Sequence, residues 1–385
     1  MSLVELRKFV APEFVFGVDS RLSAGRYIKN LGAKKVLIVS DPGVIKAGWA
    51  KDIVEALNLE SINHVVFSGI SPNPRDHEVM TGVESYLKSG CDSIVAVGGG
   101  SVIDAAKGIG IVVSNGGNIL EYEGVDQVPI PMPPLVCIPT TGGTSADVSQ
   151  FCIISDTTRK VKIAIISKAV VPDVALVDPK CLLTMDAYLT ACTGMDALVH
   201  AIEAFVSNAA SPFTDLHALA AVRMIKTHLA NSISDLTDIN SRAGVMLASL
   251  EAGLAFSNAS LGSVHALAHS LGGYLDLPHG ECNALLLPHV VSFNFHSAED
   301  RYLELGTILG LEWKGLSTKQ RETSLQNYLK KMREDLGIIG TLKTKGISSS
   351  DVKELANKAI NDPCNATNPR MPSEDDLEVV LKESM

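Results

Sequence analysis

Between residue 34 and about residue 180, short runs of β-branched and apolar residues alternate with helix-period segments, and few architectures satisfy that alternation. KKVLIVS (34–40), HVVFSGI (64–70), DSIVAVG (92–98) and PLVCIP (134–139) are strand-like, while GWAKDIVEALN (48–58) and DHEVMTGVESYLKS (76–89) are helical between them. Strands apolar on both faces and separated by helices predict a parallel sheet covered on each side. FCIIS (151–155) and KVKIAII (160–166) flank DTTR and predict a hairpin. Beyond about residue 183, windows such as TDLHALAAVRMIKTHLA (214–230) and SRAGVMLASLEAGLAFS (241–257) place apolar residues three and four apart, and strand-like runs become scarce. The chain therefore divides into a Rossmann-like α/β domain, residues 1–182, and an all-helical domain, residues 183–385.

The bulk properties exclude several classes. Of 385 residues, 46 % are hydrophobic and 20 % charged, which supports a large core and argues against disorder. The net charge of −10 comes without a Lys/Arg cluster suited to nucleic acid or an anionic membrane. No apolar run of about 18 residues predicts a membrane span, and MSLVELRKFVAPEF has no apolar stretch typical of a secretory leader. The seven cysteines are scattered with no CxxC pair, as expected of a reduced, cytoplasmic protein that uses cysteine as a small hydrophobe.

Two loops suit an anion. In SIVAVGGGSVIDAAKG, a strand runs through Gly98, Gly99 and Gly100 into a helix. The absent Cβ atoms permit a sharp turn and close backbone approach. Ser101 is expected to cap the helix, whose N-terminal amides and dipole favour a phosphate. The pattern is not G-x-G-x-x-G, because Ile103 stands where the third glycine would fall. A second loop, IPTTGGTSADVS (138–149), carries Thr140, Thr141, Thr144 and Ser145 around two glycines. Two such loops at the carboxyl ends of parallel strands point to a dinucleotide. Asp41, ending the strand KKVLIVS, suits the ribose hydroxyls of NAD and would repel the 2′-phosphate of NADP; taken alone, it reads first as a helix-capping or turn aspartate.

The stretch GSVHALAHSLGGYLDLPHGE (262–281) raises a different chemistry. His265 and His269 are four apart on one helix face, and His279 follows after a glycine pair and a proline. In TGMDALVHAIEAF (193–205), Asp196 and His200 are again four apart among apolar neighbours. A buried carboxylate needs a cation, and one Asp with two or three His would hold a divalent transition metal. Glu203, one turn beyond His200, is placed to support a ligand from behind. Spacing does not separate His269 from the ligands.

GGGSVIDAAKG, PTTGGTSADVS, GMDALVHAIEAF and NASLGSVHALAHSLGGYLDLPHGECNALLLPHV together resemble the iron-containing (group III) alcohol dehydrogenases, over nearly the whole chain. The resemblance implies the two-domain, dehydroquinate synthase-like architecture. It also implies hydride transfer between NAD(H) and a small alcohol or aldehyde. It implies Asp196, His200, His265 and His279 as ligands of Fe(2+), with Zn(2+) also compatible, and His269 as a catalytic group near the nicotinamide. On the cofactor side it implies Asp41, Asn73, Gly98, Gly99, Gly100, Ser101, Thr140, Thr141, Thr144, Lys162 and Leu182. It further implies a homo-oligomer.

Where the family usually reads G-T-G-S-E, this chain has Gly143, Thr144, Ser145, Ala146 and Asp147. Phe151, Phe256 and Cys364 fall where the family lines its substrate pocket. An aromatic at 151 narrows it and removes a polar contact, which predicts a small, largely apolar primary alcohol or aldehyde. The alternatives are a glycerol- or propanediol-type polyol dehydrogenase and a dehydroquinate-synthase-like lyase. The latter needs a Lys/Arg cluster that the histidine-bearing region lacks.

Overall fold

The computed structural model describes residues 8–385; residues 1–7, part of the stretch read for a leader, lie outside the described residues. Two compact units result, Val10–Met185 and Asp186–Met385, the second joined by Phe9, whose ring stacks on His217.

The first unit runs β1 (Glu13–Phe16), α1 (Ala24–Asn30), β2 (Lys35–Val39), α2 (Pro42–Ala47), α3 (Trp49–Leu59), β3 (Asn63–Phe67), α4 (Asp76–Ser89), β4 (Ser93–Gly98), α5 (Gly100–Asn115), β5 (Gly124–Val125), β6 (Leu135–Pro139), β7 (Phe151–Asp156), β8 (Val161–Ile166) and β9 (Val174–Val177). Six strands form an all-parallel sheet in the order β1-β9-β6-β4-β2-β3. Alternation divides its side chains between two cores. Leu37, Val39, Ile94 and Ala96 face α4 and α5. Val36, Ile38, Val95 and Val97 face α1 and α3. Because both faces are buried, these strands read as continuous apolar runs.

The chain leaves β2 toward β3 on one side and returns to β4 on the other, so the strand order reverses between β2 and β4. Ligands of open α/β sheets bind at the carboxyl ends of strands flanking such a switch point. The predicted hairpin forms as β7 and β8, antiparallel with Phe151 opposite Ile166 and Asp156 opposite Val161. It belongs to a separate three-stranded sheet with β5. Strands β1, β5 and β9 escaped the sequence reading, being two to four residues long.

The second unit holds α6 (Ala187–Val206), α7 (Pro212–Ser234), α8 (Ile239–Ala259), α9 (Ser263–Leu275), α10 (His279–Asn294), α11 (Glu299–Leu309), α12 (Thr318–Asp335), α13 (Val352–Ile360) and α14 (Glu374–Glu383), with no strand among its described residues. Asp186 caps α6 by accepting from Leu189 N, and Ser211 caps α7 with Pro212 in its first turn. α6 is long and apolar enough to cross a membrane by length and composition. Here it is a core helix, packed by α7, α8 and α10. Asp196, His200 and Glu203 are therefore carried into the interior.

Candidate active site

Three of the expected ligands converge. One donor atom each from Asp196, His265 and His279 lies within 4.8 Å of the others. Nε2 of His265 and Nε2 of His279 are both 3.8 Å from Asp196 Oδ1. His200 stands alongside: its ring stacks on that of His265 at 4.5 Å between centroids and on Phe256 at 4.3 Å. The local sequence makes this approach possible. At Gly280 a Cβ would come within 2.4 Å of the Cys192 carbonyl oxygen, so only glycine lets the first turn of α10 lie against α6 beside Asp196.

His265 is held from behind. Glu203 Oε2 is 2.5 Å from His265 Nδ1, and Glu203 Oε1 accepts from Val264 N at 2.7 Å. Burial pushes the Glu203 carboxyl up to about 7 against the opposing pull of those backbone donors and of His200. This fixes the ring orientation and turns Nε2 inward.

His269 belongs to a second group, with Asp362 and Cys364. Its Nδ1 lies 2.8 Å from Asp362 Oδ2, and its ring stacks on His279 at 5.4 Å. Burial works to raise the Asp362 carboxyl, but the charge and hydrogen bond of His269 and the donors of Cys364 outweigh it and hold it below the usual range. Burial pushes the Cys364 thiol well above its ordinary value.

Two residues escaped the sequence reading. Asp362 is 93 positions from His269, and no local signal joins them. Asn283 lies four residues after His279 on α10, the same spacing that flagged the histidines, and its amide sits among the three converging candidate ligands.

The donor set fits a divalent transition metal. Asp196 is 2 % exposed, and among the described residues no Lys or Arg forms an ion pair with it. One carboxylate oxygen and two imidazole nitrogens face a single amide that has only two hydrogens to give. A buried carboxylate grouped with imidazole nitrogens in this way suits a cation.

The first unit carries the cofactor candidates, with Asp41, the Gly98–Ser101 turn and Thr140 at the carboxyl ends of β2, β4 and β6. Gly98 ends β4, Gly99 precedes α5, and no side chain caps that helix. Ser101 is therefore not the cap: it lies inside α5, and its Oγ accepts from Asn73 N at 3.2 Å. Lys162 Nζ donates to Asn73 Oδ1 at 2.7 Å, tying Asn73, Ser101 and Lys162 together. The two loops pack on each other. A Cβ on Gly100 would meet Thr144 Oγ1 at 2.7 Å, so this glycine serves loop packing as well as any ligand. Thr140 N donates to Gly98 O at 3.0 Å. The Thr141 hydroxyl is buried without a hydrogen-bond partner among the described residues. An uncapped helix N-terminus beside an unsatisfied hydroxyl fits an anionic ligand such as a pyrophosphate.

Asp41 caps α2, its Oδ1 accepting from Gly43 N at 2.7 Å and Val44 N at 3.0 Å, so the capping role of this residue is real. Leu182 is buried in the turn of 3-10 helix Pro179–Thr184. Ser145, where the family usually has glycine, sits at φ 52°, in the left-handed region. Of the pocket candidates, Phe151 is buried in β7, Phe256 stacks on His200, and Cys364 lies beside Asp362.

Comparison with known proteins gives the family. Residues 11–179 match the family model for iron-containing alcohol dehydrogenase, and residues 190–385 match that for the C-terminal part of the Fe-containing alcohol dehydrogenase family. The chain is 38 % identical over 371 residues to 1,3-propanediol dehydrogenase of Citrobacter freundii, covering 96 % of each chain. It is 36 % identical over 377 residues to NAD-dependent methanol dehydrogenase of Bacillus methanolicus, covering 98 % of this chain and 99 % of that one. Among solved structures, a 1,3-propanediol oxidoreductase superposes with a TM-score of 0.95 at 36 % identity, over 99 % of this chain and all of that one.

The chain belongs to the iron-containing alcohol dehydrogenase family. It is an oxidoreductase of alcohols and aldehydes, and the lyase alternative falls away.

Proposed function

We propose that the protein is an NAD-dependent, iron-loaded dehydrogenase of small, largely apolar primary alcohols, working equally as an aldehyde reductase. The observation that carries this reading is the convergence of Asp196, His265 and His279 on one point inside the helical unit. When bound, a divalent metal supplies Lewis-acid polarisation of the alcohol oxygen, and a nicotinamide accepts the hydride.

The chain's own groups do the rest. Asp196, His200, His265 and His279 are the metal-holding set. Glu203 keeps His265 in the tautomer whose Nε2 lone pair faces the site. Asp362 keeps a proton on Nδ1 of His269, which leaves Nε2 to take up and release the proton that the alcohol loses. The Gly98–Ser101 turn, Thr140, Thr141 and Thr144 receive the pyrophosphate, supported by Asn73 and Lys162. The family resemblance adds Leu182 to this set. The Asp41 carboxylate, at the switch point, favours NAD by repelling a 2′-phosphate. Iron is the family's metal; zinc fits the same ligands.

Phe151, Phe256 and Cys364 support an apolar substrate. The relative named 1,3-propanediol dehydrogenase supports a second reading, a diol. The seven buried cysteines, none in a disulfide, support a reduced cytoplasmic setting; the family resemblance supports a homo-oligomer.

The test is a series of aldehydes and alcohols with NAD(H) and NADP(H) on protein reconstituted with iron(II) or zinc. Expected are a higher kcat/KM for ethanol to butanol than for glycerol or propanediol, and preference for NAD(H). His265→Ala is expected to lose metal and turnover together. A propanediol kcat/KM well above that for butanol would overturn the substrate reading.

A further inference from the structure

Asn283 is wholly buried, one helical turn after His279 on α10. Its Nδ2 lies 2.6 Å from Asp196 Oδ1, 3.1 Å from His265 Nε2 and 3.2 Å from His279 Nε2. The amide orientation follows from chemistry: reversed, its oxygen would face a carboxylate at hydrogen-bond distance with no proton between them. The amide oxygen, on the other side, is buried with no hydrogen-bond partner among the described residues. The side chain is thus placed for what its nitrogen touches, at the expense of its oxygen.

Those three partners are residues of the proposed metal-holding set. An imidazole Nε2 has one lone pair, which accepts from an amide or ligates a metal, and cannot do both. We propose that Asn283 is a placeholder for the metal. Its amide holds Asp196, His265 and His279 together in the metal-free protein and leaves them when the ion enters. The proposal rests on the metal-site reading given above. It follows that Asn283 keeps the inner lone pairs of both histidines directed at one point before loading, and gives the buried Asp196 carboxylate a donor in the metal-free protein. It also follows that the metal has to displace a hydrogen-bonded group, so a side chain with no donor at 283 leaves the metal with less competition.

The experiment compares thermal unfolding of wild type and Asn283→Ala, each stripped with a chelator and each loaded with zinc, together with the zinc Kd from chelator competition. The expected result is a midpoint lowered by several degrees in the stripped variant and unchanged in the loaded one. By linkage, zinc then binds about tenfold more tightly to the variant, since losing the amide destabilises the metal-free state only. An equal loss in both states, or a larger loss with zinc, overturns the proposal, because Asn283 would then be an ordinary packing residue or a partner of the loaded site. Asn283→Asp is the second variant, informative should the alanine protein not fold. A carboxylate there repels Asp196 without metal and joins it around a cation, so stripping should unfold this variant while zinc restores it. A zinc-independent loss sinks the placeholder. Wild-type protein that binds neither zinc nor iron(II) sinks the metal reading itself, a result distinct from either variant's behaviour.

Discussion

Glu203 on α6 and His265 on α9 meet through Oε2 and Nδ1 at 2.5 Å, across 62 residues of chain. The same carboxylate accepts from the amide of Val264, so one buried group anchors both the start of α9 and the ring it carries. Glu203→Ala should weaken metal binding by about 10–100-fold, the usual effect of removing a partner that orients a ligand. Chelator competition measures it. Unchanged affinity would show that helix packing alone orients His265.

Gly280→Ala should separate α10 from α6. A Cβ there falls 2.4 Å from the Cys192 carbonyl oxygen and 2.8 Å from its carbon, backbone atoms that cannot rotate away. Overpacking costs about 1–3 kcal/mol, more than the gain in helix propensity of at most about 1 kcal/mol. Urea unfolding should show lower stability, and metal content should fall with it. A more stable variant would mean the two helices are further apart than described here.

Asp147 ties stability to pH. Burial pushes its carboxyl up to about 6, only partly opposed by its own backbone amide and by Lys107. Between its ordinary value of 3.8 and about 6 the folded state holds more proton than the unfolded state, so stability falls as pH rises through that window. Asp147→Asn removes the buried charge. It should be the more stable protein above pH 6, by at most about 3 kcal/mol at ~1.4 kcal/mol per pH unit, and lose that advantage near pH 4. Denaturant curves at both ends of the window decide it, and a pH-independent difference would refute the assignment.

Thr141→Val keeps the shape of the side chain and deletes a hydroxyl that has no partner among the described residues. Without cofactor its stability should match or exceed wild type, because a buried unsatisfied group is removed. Its Kd for NAD(H) should rise by about five- to tenfold, the worth of one hydrogen bond. A titration in which affinity holds and stability drops would make Thr141 structural.

His269→Gln should retain bound metal and lose turnover by about 10²-fold or more, the scale of general acid–base assistance. Metal analysis alongside kcat distinguishes the roles, since a metal-free variant would place His269 among the ligands. Asp362→Asn should reproduce part of the loss and alter the pH profile of kcat, because it removes the carboxylate that holds a proton on His269 Nδ1.

Much of this protein is written locally. The parallel strands β2, β4 and β6 are continuous apolar runs because both of their faces are covered, and α4 lies where its spacing predicts it. Asp196 with His200, and His265 with His269, are legible because four residues make one helical turn whatever the rest of the chain does. Asp41 showed both its possible uses, and the capping bond is present.

Other features depend on contacts that no short window contains. Ser101 has the sequence position of a cap, yet its hydroxyl is taken by the backbone of Asn73, 28 residues away. Asp362 becomes the partner of His269 only through the packing that brings their segments together. Asn283 looks like a neutral helix residue until three acceptors from α6, α9 and α10 close on it. Short strands such as β9 exist because neighbouring strands supply their hydrogen bonds, and four residues carry too little pattern to announce it. The sequence by itself determined the types of the longer elements and which helix faces carry the candidate ligands, since periodicity is a property of adjacent residues. The tertiary structure decided which buried donor meets which acceptor, since that pairing is set by the packing of helices distant in the chain.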